Sequence, residues 1–225
     1  MNLEPVWISL KTGCISILIT FFFGVFIAYL VGRIQKESIK IMVDGLLTLP
    51  LVLPPTVMGF FLLMIFGKNG PLGKLFISLF GIKIAFSWLA TVISAVTISF
   101  PLMYRSSKAA FESVDEDMVS AARTLGMKEW TIFRRIIIPN SLEGLVSGTI
   151  LAFTRGLGEF GATAMLAGNI AGKTQTLPLA IYSEVAAGNV ESAFPYVGIM
   201  IGICLLAVVV MNTYQVRVQR KRKNL

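Results

Sequence analysis

Five long apolar stretches leave this chain few ways to fold. They cover approximately residues 8–31, 46–66, 86–103, 142–166 and 194–214, each close to the roughly 20 residues that a helix needs to cross the hydrocarbon of a bilayer. In that medium the backbone must satisfy its own hydrogen bonds, so runs of this kind are read as helices. Charge decides that lipid, and not a protein core, is the surrounding medium. Only 14% of the 225 residues are charged, against 55% hydrophobic, and that is too little to coat a water-facing surface. The expected fold is all-α and integral to the membrane: five transmembrane helices in a single domain over residues 1–225, with no separate soluble domain.

The first stretch is expected to be a retained span and not a secretory leader. No basic segment precedes it, its apolar run is too long, and it lacks a small-x-small cleavage site. The second contains Pro50, Pro54 and Pro55 and is expected to break or kink near its inner end. Cys14 and Cys204 both fall within apolar runs and read as small packing residues. Histidine is absent, which removes the commonest metal ligand and neutral-pH proton shuttle, so no metal site, cofactor or His-dependent catalysis is expected.

The net charge of +8 would suit nucleic acid if it were clustered on a soluble face. It is distributed by topology instead. With the N-terminus outside, the inner connections hold fourteen Lys and Arg (Arg33, Lys36 and Lys40; Arg105, Lys108, Arg123, Lys128, Arg134 and Arg135; Arg217, Arg220, Lys221, Arg222 and Lys223). The outer ones hold five (Lys11, Lys68, Lys74, Lys83 and Lys173), and Arg155 lies within a stretch. That bias obeys the positive-inside rule and puts the C-terminus in the cytoplasm. The basic tail is expected against anionic lipid headgroups, and nucleic acid is not an expected partner.

The largest inner connection is 104–140, and its local signals are legible. Ser113-Val-Asp-Glu116 reads as a capping box, with Asp115, Glu116 and Asp117 at the positive end of the helix macrodipole. Gly126 stands where a left-handed C-cap residue belongs. A second short helix follows from Lys128, carrying Trp130, Phe133 and Ile137 on one face; Pro139 is expected to stop it, leaving Asn140 or Ser141 to cap the next helix.

Ser120-Ala-Ala-Arg-Thr-Leu-Gly126, then nine residues, then Ile136-Ile-Ile-Pro139, resembles the signature of bacterial ABC importer permeases. In that family the pattern is Glu-Ala-Ala, three residues, Gly, nine residues, Ile-x-Leu-Pro. Ala121, Ala122, Gly126, Ile136 and Pro139 fall in register, with Ser120 in place of the acid and Ile138 in place of leucine. The resemblance implies that this loop is the coupling segment that docks on a separate ATP-binding-cassette ATPase subunit. Small Ala121 and Ala122 would allow close approach, and Trp130 and Phe133 would anchor the interface.

Two patterns mimic nucleotide sites. Gly156-Leu-Gly-Glu-Phe-Gly161 matches G-x-G-x-x-G but lies inside an apolar stretch, without the βαβ context such a loop requires. Ala167-Gly-Asn-Ile-Ala-Gly-Lys-Thr174 approaches a phosphate-binding loop, yet Pro178 follows too soon for the loop to open directly into a helix. Both are expected to be chance matches, and the chain is not expected to be an enzyme.

Within the fourth stretch Arg155 and Glu159 are four residues apart, on one face of a helix. Charges at membrane depth pair with each other or face a water-filled path, so two readings stand: an ion pair that locks packing, or a pair that lines the translocation route. Gly158 and Gly161 permit close backbone approach around it. Gly144-x-x-x-Gly148 and Gly198-x-x-x-Gly202 are expected to serve packing within the chain. The run 155–162 also resembles a segment of oxyanion permeases, those for molybdate, tungstate and sulfate. Leu49-Pro-Leu-Val-Leu-Pro-Pro55 and Phe86-Ser-Trp88 look most like the molybdate branch. The resemblance implies a pore formed with a second copy of the chain, an extracytoplasmic substrate-binding protein as donor, and no built-in feedback domain. A secondary transporter would pair broken helices in two halves, and only one proline-broken stretch is visible.

Overall fold

The computed structural model describes residues 2–223, with side chains to Val218. The side chains of most of the basic tail, Arg220–Lys223, thus lie outside the described residues. Every element among the described residues is helical. They are α1 (Glu4–Gly32), α2 (Glu37–Val52), α3 (Pro55–Phe66), α4 (Pro71–Phe80), α5 (Trp88–Glu112), α6 (Glu116–Thr124), α7 (Glu129–Ile132), α8 (Ile138–Leu157), α9 (Gly161–Leu166), α10 (Leu177–Ala186) and α11 (Val190–Lys223). A π-helical segment, Phe133–Ile137, joins α7 to α8. Four helices are long and apolar enough to cross a membrane: α1, α5, the continuous α7–α8 rod and α11. The pair α2 and α3 makes a fifth crossing if counted as one broken span.

A stripe of small residues holds the centre together. On α1, Thr12, Ser16, Thr20, Gly24 and Ala28 recur every fourth residue and are buried, which puts them on one face against α5. Thr12 shares a hydrogen bond with Thr91 at 2.9 Å, and Thr20 shares one with Ser99 at 3.1 Å. Small hydroxyl residues let two apolar helices come close and hydrogen-bond across the seam. On the other side of α5, α8 packs through Gly144 and Gly148, where an added Cβ would lie 2.6 Å from the Ala110 Cβ and 2.4 Å from the Ser106 Cβ. This pair serves packing within the chain, as its spacing suggests. Gly198 and Gly202 differ: among the described residues no other element lies within 4 Å of a Cβ added at either, so the expected intrachain contact is not made there.

The break in the second apolar run falls in its middle, not near one end. α2 and α3 meet at 109°. Leu53 and Pro54 are both extended, with ψ of 142° and 136°, because each precedes a proline whose ring excludes the helical conformation. Pro50, by contrast, is accommodated inside α2.

The connection expected over 104–140 is shorter than the hydropathy suggests. α5 runs on to Glu112, and the α7–α8 rod begins at Glu129. Charged side chains end an apolar run without ending the backbone ladder, so the helices outlast the hydrophobic segments. Pro139 does not stop the second helix. The π segment shifts the ladder, with the Ile138 N–H bonded to the Phe133 carbonyl, and Pro139 sits in the first turn of α8 where a missing N–H costs little. Asn140 and Ser141 are therefore not caps; their side chains donate to the carbonyls of Ile136 and Ala110.

The fourth run is also broken. α8 ends at Leu157, and α9 starts at Gly161. The two breaks abut. An added Cβ on Gly161 would lie 3.0 Å from the Pro55 Cβ, and one on Gly59 would lie 2.7 Å from the Ala162 Cα. The one proline-broken span among the described residues is thus met by a glycine-rich break in the fourth run, which leaves no hydropathy signal.

Candidate functional site

At the basic end of the molecule, α6 is a nine-residue helix that packs on α7 and the π segment. Its start is capped by Asp115, whose Oδ1 accepts the Asp117 N–H at 2.9 Å. The Ser113 hydroxyl instead donates back to the Ala110 carbonyl, so the expected capping box does not form and the cap stands two residues later, at Asp115. α5 continues through Ser113's neighbourhood and engages its hydroxyl before the cap position is reached.

The end of α6 follows the spacing closely. Gly126 has φ of +75°, its N–H bonds to the Arg123 carbonyl at 2.9 Å, and the Met127 N–H bonds to the Ala122 carbonyl at 3.1 Å. These two bonds define a Schellman motif, which requires a left-handed residue at this position. Open space surrounds the missing Cβ, so the glycine is required by backbone conformation and not by crowding.

Of the residues singled out in this segment, Ser120, Ala121, Gly126 and Trp130 are exposed, as is Leu125 at 81%. Ala122 is buried beneath the helix, and Ile136 is half-buried. Pro139 is exposed on the rod. Phe133 is only 7% exposed. It is packed between Tyr29 and Phe111, at ring-centroid distances of 4.0 and 5.7 Å, with Trp130 at 5.5 Å. Phe133 is therefore part of this chain's own core, whereas Trp130 is exposed.

One carboxylate at this end escaped the sequence reading. Glu129 accepts two bonds from Arg123, Nε–Oε1 at 2.7 Å and Nη2–Oε2 at 3.3 Å, and a third from Arg33 Nη2 at 2.9 Å. Hydrogen bonding to Glu129 pushes the Arg123 guanidinium further above its already high ordinary pKa, so the pair stays charged at physiological pH. Nearby, Asp44 of α2 accepts bonds from Tyr104 and Lys108 of α5, fastening a helix that has no buried residue of its own. Sequence separations of 60 to 96 residues kept Arg33 and the Asp44 partners out of reach of any local pattern; Arg123 is only six residues from Glu129.

The second candidate site lies at the break after α8. Arg155 Nη1 and Glu159 Oε2 are 2.8 Å apart, with side chains 33% and 1% exposed. The other carboxylate oxygen of Glu159 accepts the Ala162 N–H at 2.8 Å. Glu159 is not on the helix that carries Arg155, as the spacing suggested, but in the break, where it satisfies an orphan donor in the first turn of α9. Gly158 and Gly161 flank it, the former exposed and the latter buried against Pro55. The pair is neutral overall, with Arg155 carrying its only substantial exposure.

Neither nucleotide-like pattern has phosphate-binding geometry. The N–H groups of Lys173, Thr174 and Gln175 all point back to the Ile170 carbonyl, and the Thr174 hydroxyl accepts the Ile170 N–H. The glycines of 156–161 straddle the end of α8 and the start of α9.

A membrane helix bundle with broken central helices and a short capped helix at its basic end is the fold of an ABC transporter's membrane subunit. It superimposes with a TM-score of 0.74 on a chain of the methionine ABC transporter MetNI in an inward-facing conformation, at 17% identity, covering 96% of this chain and 95% of that one. The chain belongs to the family of inner membrane components of binding-protein-dependent transport systems, whose model matches residues 20–223. Among its relatives, the molybdenum transport system permease protein ModB of Escherichia coli strain K12 is 39% identical over 223 residues, 97% of each chain. The sulfate transport system permease protein CysW of Synechocystis is 35% identical over 213 residues, 95% of this chain and 75% of that one.

Proposed function

We propose that this chain is the pore-forming subunit of a molybdate importer. Two copies enclose the pathway, an extracytoplasmic protein delivers the anion, and a separate ATPase subunit docks on the α6 region and drives the pore between inward- and outward-open states. The N-terminus is outside and the basic end, with α6, is in the cytoplasm. The similarity to ModB along 97% of both chains carries the substrate, and the charge bias carries the orientation. For the docking, Ser120, Ala121, Gly126 and Trp130 form the exposed side of the coupling segment, with Ala122, Phe133, Ile136 and Pro139 setting its seat. Arg155, Gly158, Glu159 and Gly161 border the pathway at the abutting breaks.

Gly126→Val tests the docking. A β-branched residue at this φ costs about 1–3 kcal/mol, and α6 has too few buried contacts to hold the turn against that strain. Copurified ATPase subunit is expected to fall about tenfold, while Gly126→Asn, which tolerates the left-handed region, retains most of it. Assembly and transport at wild-type levels in the valine variant would remove α6 from the interface. Sulfate is a second reading, favoured by the similarity to CysW. Uptake of radiolabelled molybdate that excess sulfate does not suppress decides for molybdate; equal suppression decides for the broader substrate range.

A further inference from the structure

A cavity of about 410 Å³ lies beneath α6, between it and the inner ends of α1 and α5, and Tyr29, Arg33, Val119, Arg123 and Glu129 are among its walls. α6 therefore packs on α7 and the π segment but is separated by this cavity from the ends of α1 and α5. Ala122 is its one buried residue. Across the gap runs the three-membered clamp of Arg123 on α6, Glu129 at the base of the α7–α8 rod, and Arg33 at the end of α1. The Arg123–Glu129 pair is bidentate, which fixes direction as well as distance. Arg33 is held on its other side by the ring of Tyr29, 4.5 Å from its guanidinium carbon. Tyr29 in turn packs on Phe133, the first residue of the π segment.

α6 is joined by the chain to α5 and to the α7–α8 rod, but α1 has no covalent route to it except through the whole of α2–α5. We infer that Glu129 is a positioning residue for transport: the Arg33–Glu129–Arg123 clamp is the link by which displacement of the coupling helix reaches α1, and through the α1–α5 seam the rest of the bundle. The link rests on the docking of an ATPase at α6. All three side chains are about half exposed, at 45–55%, and exposed ion pairs add little to stability. Losing the clamp should leave folding and assembly intact and change only what the motion of α6 accomplishes.

The test uses the wild-type and variant chain in complex with its ATPase subunit, reconstituted in proteoliposomes with the binding protein and molybdate. The readout is ATP hydrolysed per molybdate transported. Glu129→Gln is expected to raise that ratio about fivefold, with unchanged copurification of the ATPase. Inverting the whole clamp, with Arg33→Glu, Glu129→Arg and Arg123→Glu together, restores both pairs and should return the ratio to within about twofold of wild type. A ratio unchanged in Glu129→Gln overturns the inference, as does a triple variant no better coupled than Arg33→Glu with Arg123→Glu. The docking reading fails separately, by a wild-type chain that recovers no ATPase subunit.

Discussion

Arg155→Leu is expected to destabilise the protein by about 3–5 kcal/mol, because it strands a carboxylate in the interior without its counter-charge. Glu159 is 1% exposed at its side chain, and the Ala162 N–H would then be its one remaining hydrogen-bond partner. Glu159→Gln should cost less. The amide oxygen can keep the Ala162 bond, and Arg155, one-third exposed, can turn toward water. The double variant Arg155→Leu with Glu159→Gln should recover at least half of the loss seen in Arg155→Leu alone. Melting in detergent, followed by intrinsic fluorescence, measures all three. Transport then separates the two roles of the pair. If molybdate uptake recovers with stability in the double variant, the pair is a packing lock. If stability returns and uptake does not, the guanidinium has a task in the pathway.

Gly59→Leu is expected to be nearly as damaging, at about 3 kcal/mol. An added Cβ would meet the Ala162 Cα at 2.7 Å and the Met165 Cβ at 2.8 Å. Backbone on the far side cannot swing away as a flexible side chain would, so α3 and α9 must separate. Because these helices carry the two abutting breaks, the same change should open the seam between them and abolish coupled transport. Gly198→Leu is the matching control. Its Cβ position is open, so within the single chain the change should stay within about 0.5 kcal/mol. Melting and expression yield of the two variants check the contrast. A large loss at Gly198 would mean that a surface outside this chain closes over it in the assembled transporter.

The two glycines show where a linear sequence stops being informative. Both sit in apolar helices, yet their surroundings differ completely. Which one is closed depends on how α3, α9 and α11 lie in space, and no local pattern encodes that. Gly126 is the opposite case. The requirement for a left-handed residue after α6 is a property of a few consecutive peptide units, so spacing alone located it and the Schellman bonds bear it out. The cap at the other end was displaced by two residues, because Ser113 and Asp115 are both competent caps and the choice depended on where α5 ended.

What the sequence by itself determined about this protein was its solvent and its local punctuation. Too little charge and five apolar runs require a helical membrane chain, and prolines at 54 and 55 require a break. Tertiary structure alone decided that a second, glycine-rich break meets the first. It also decided that Phe133 turns inward, that Glu159 leaves the helix of Arg155 to satisfy the first turn of α9, and that Glu129 joins Arg123 of the neighbouring α6 to Arg33 at the end of distant α1. The physical reason is range. Hydropathy, capping and proline sterics act over one or two turns and are written in consecutive residues. Contacts such as Arg33–Glu129 and Gly59–Ala162 join residues dozens of positions apart, and they exist only once the helices have packed.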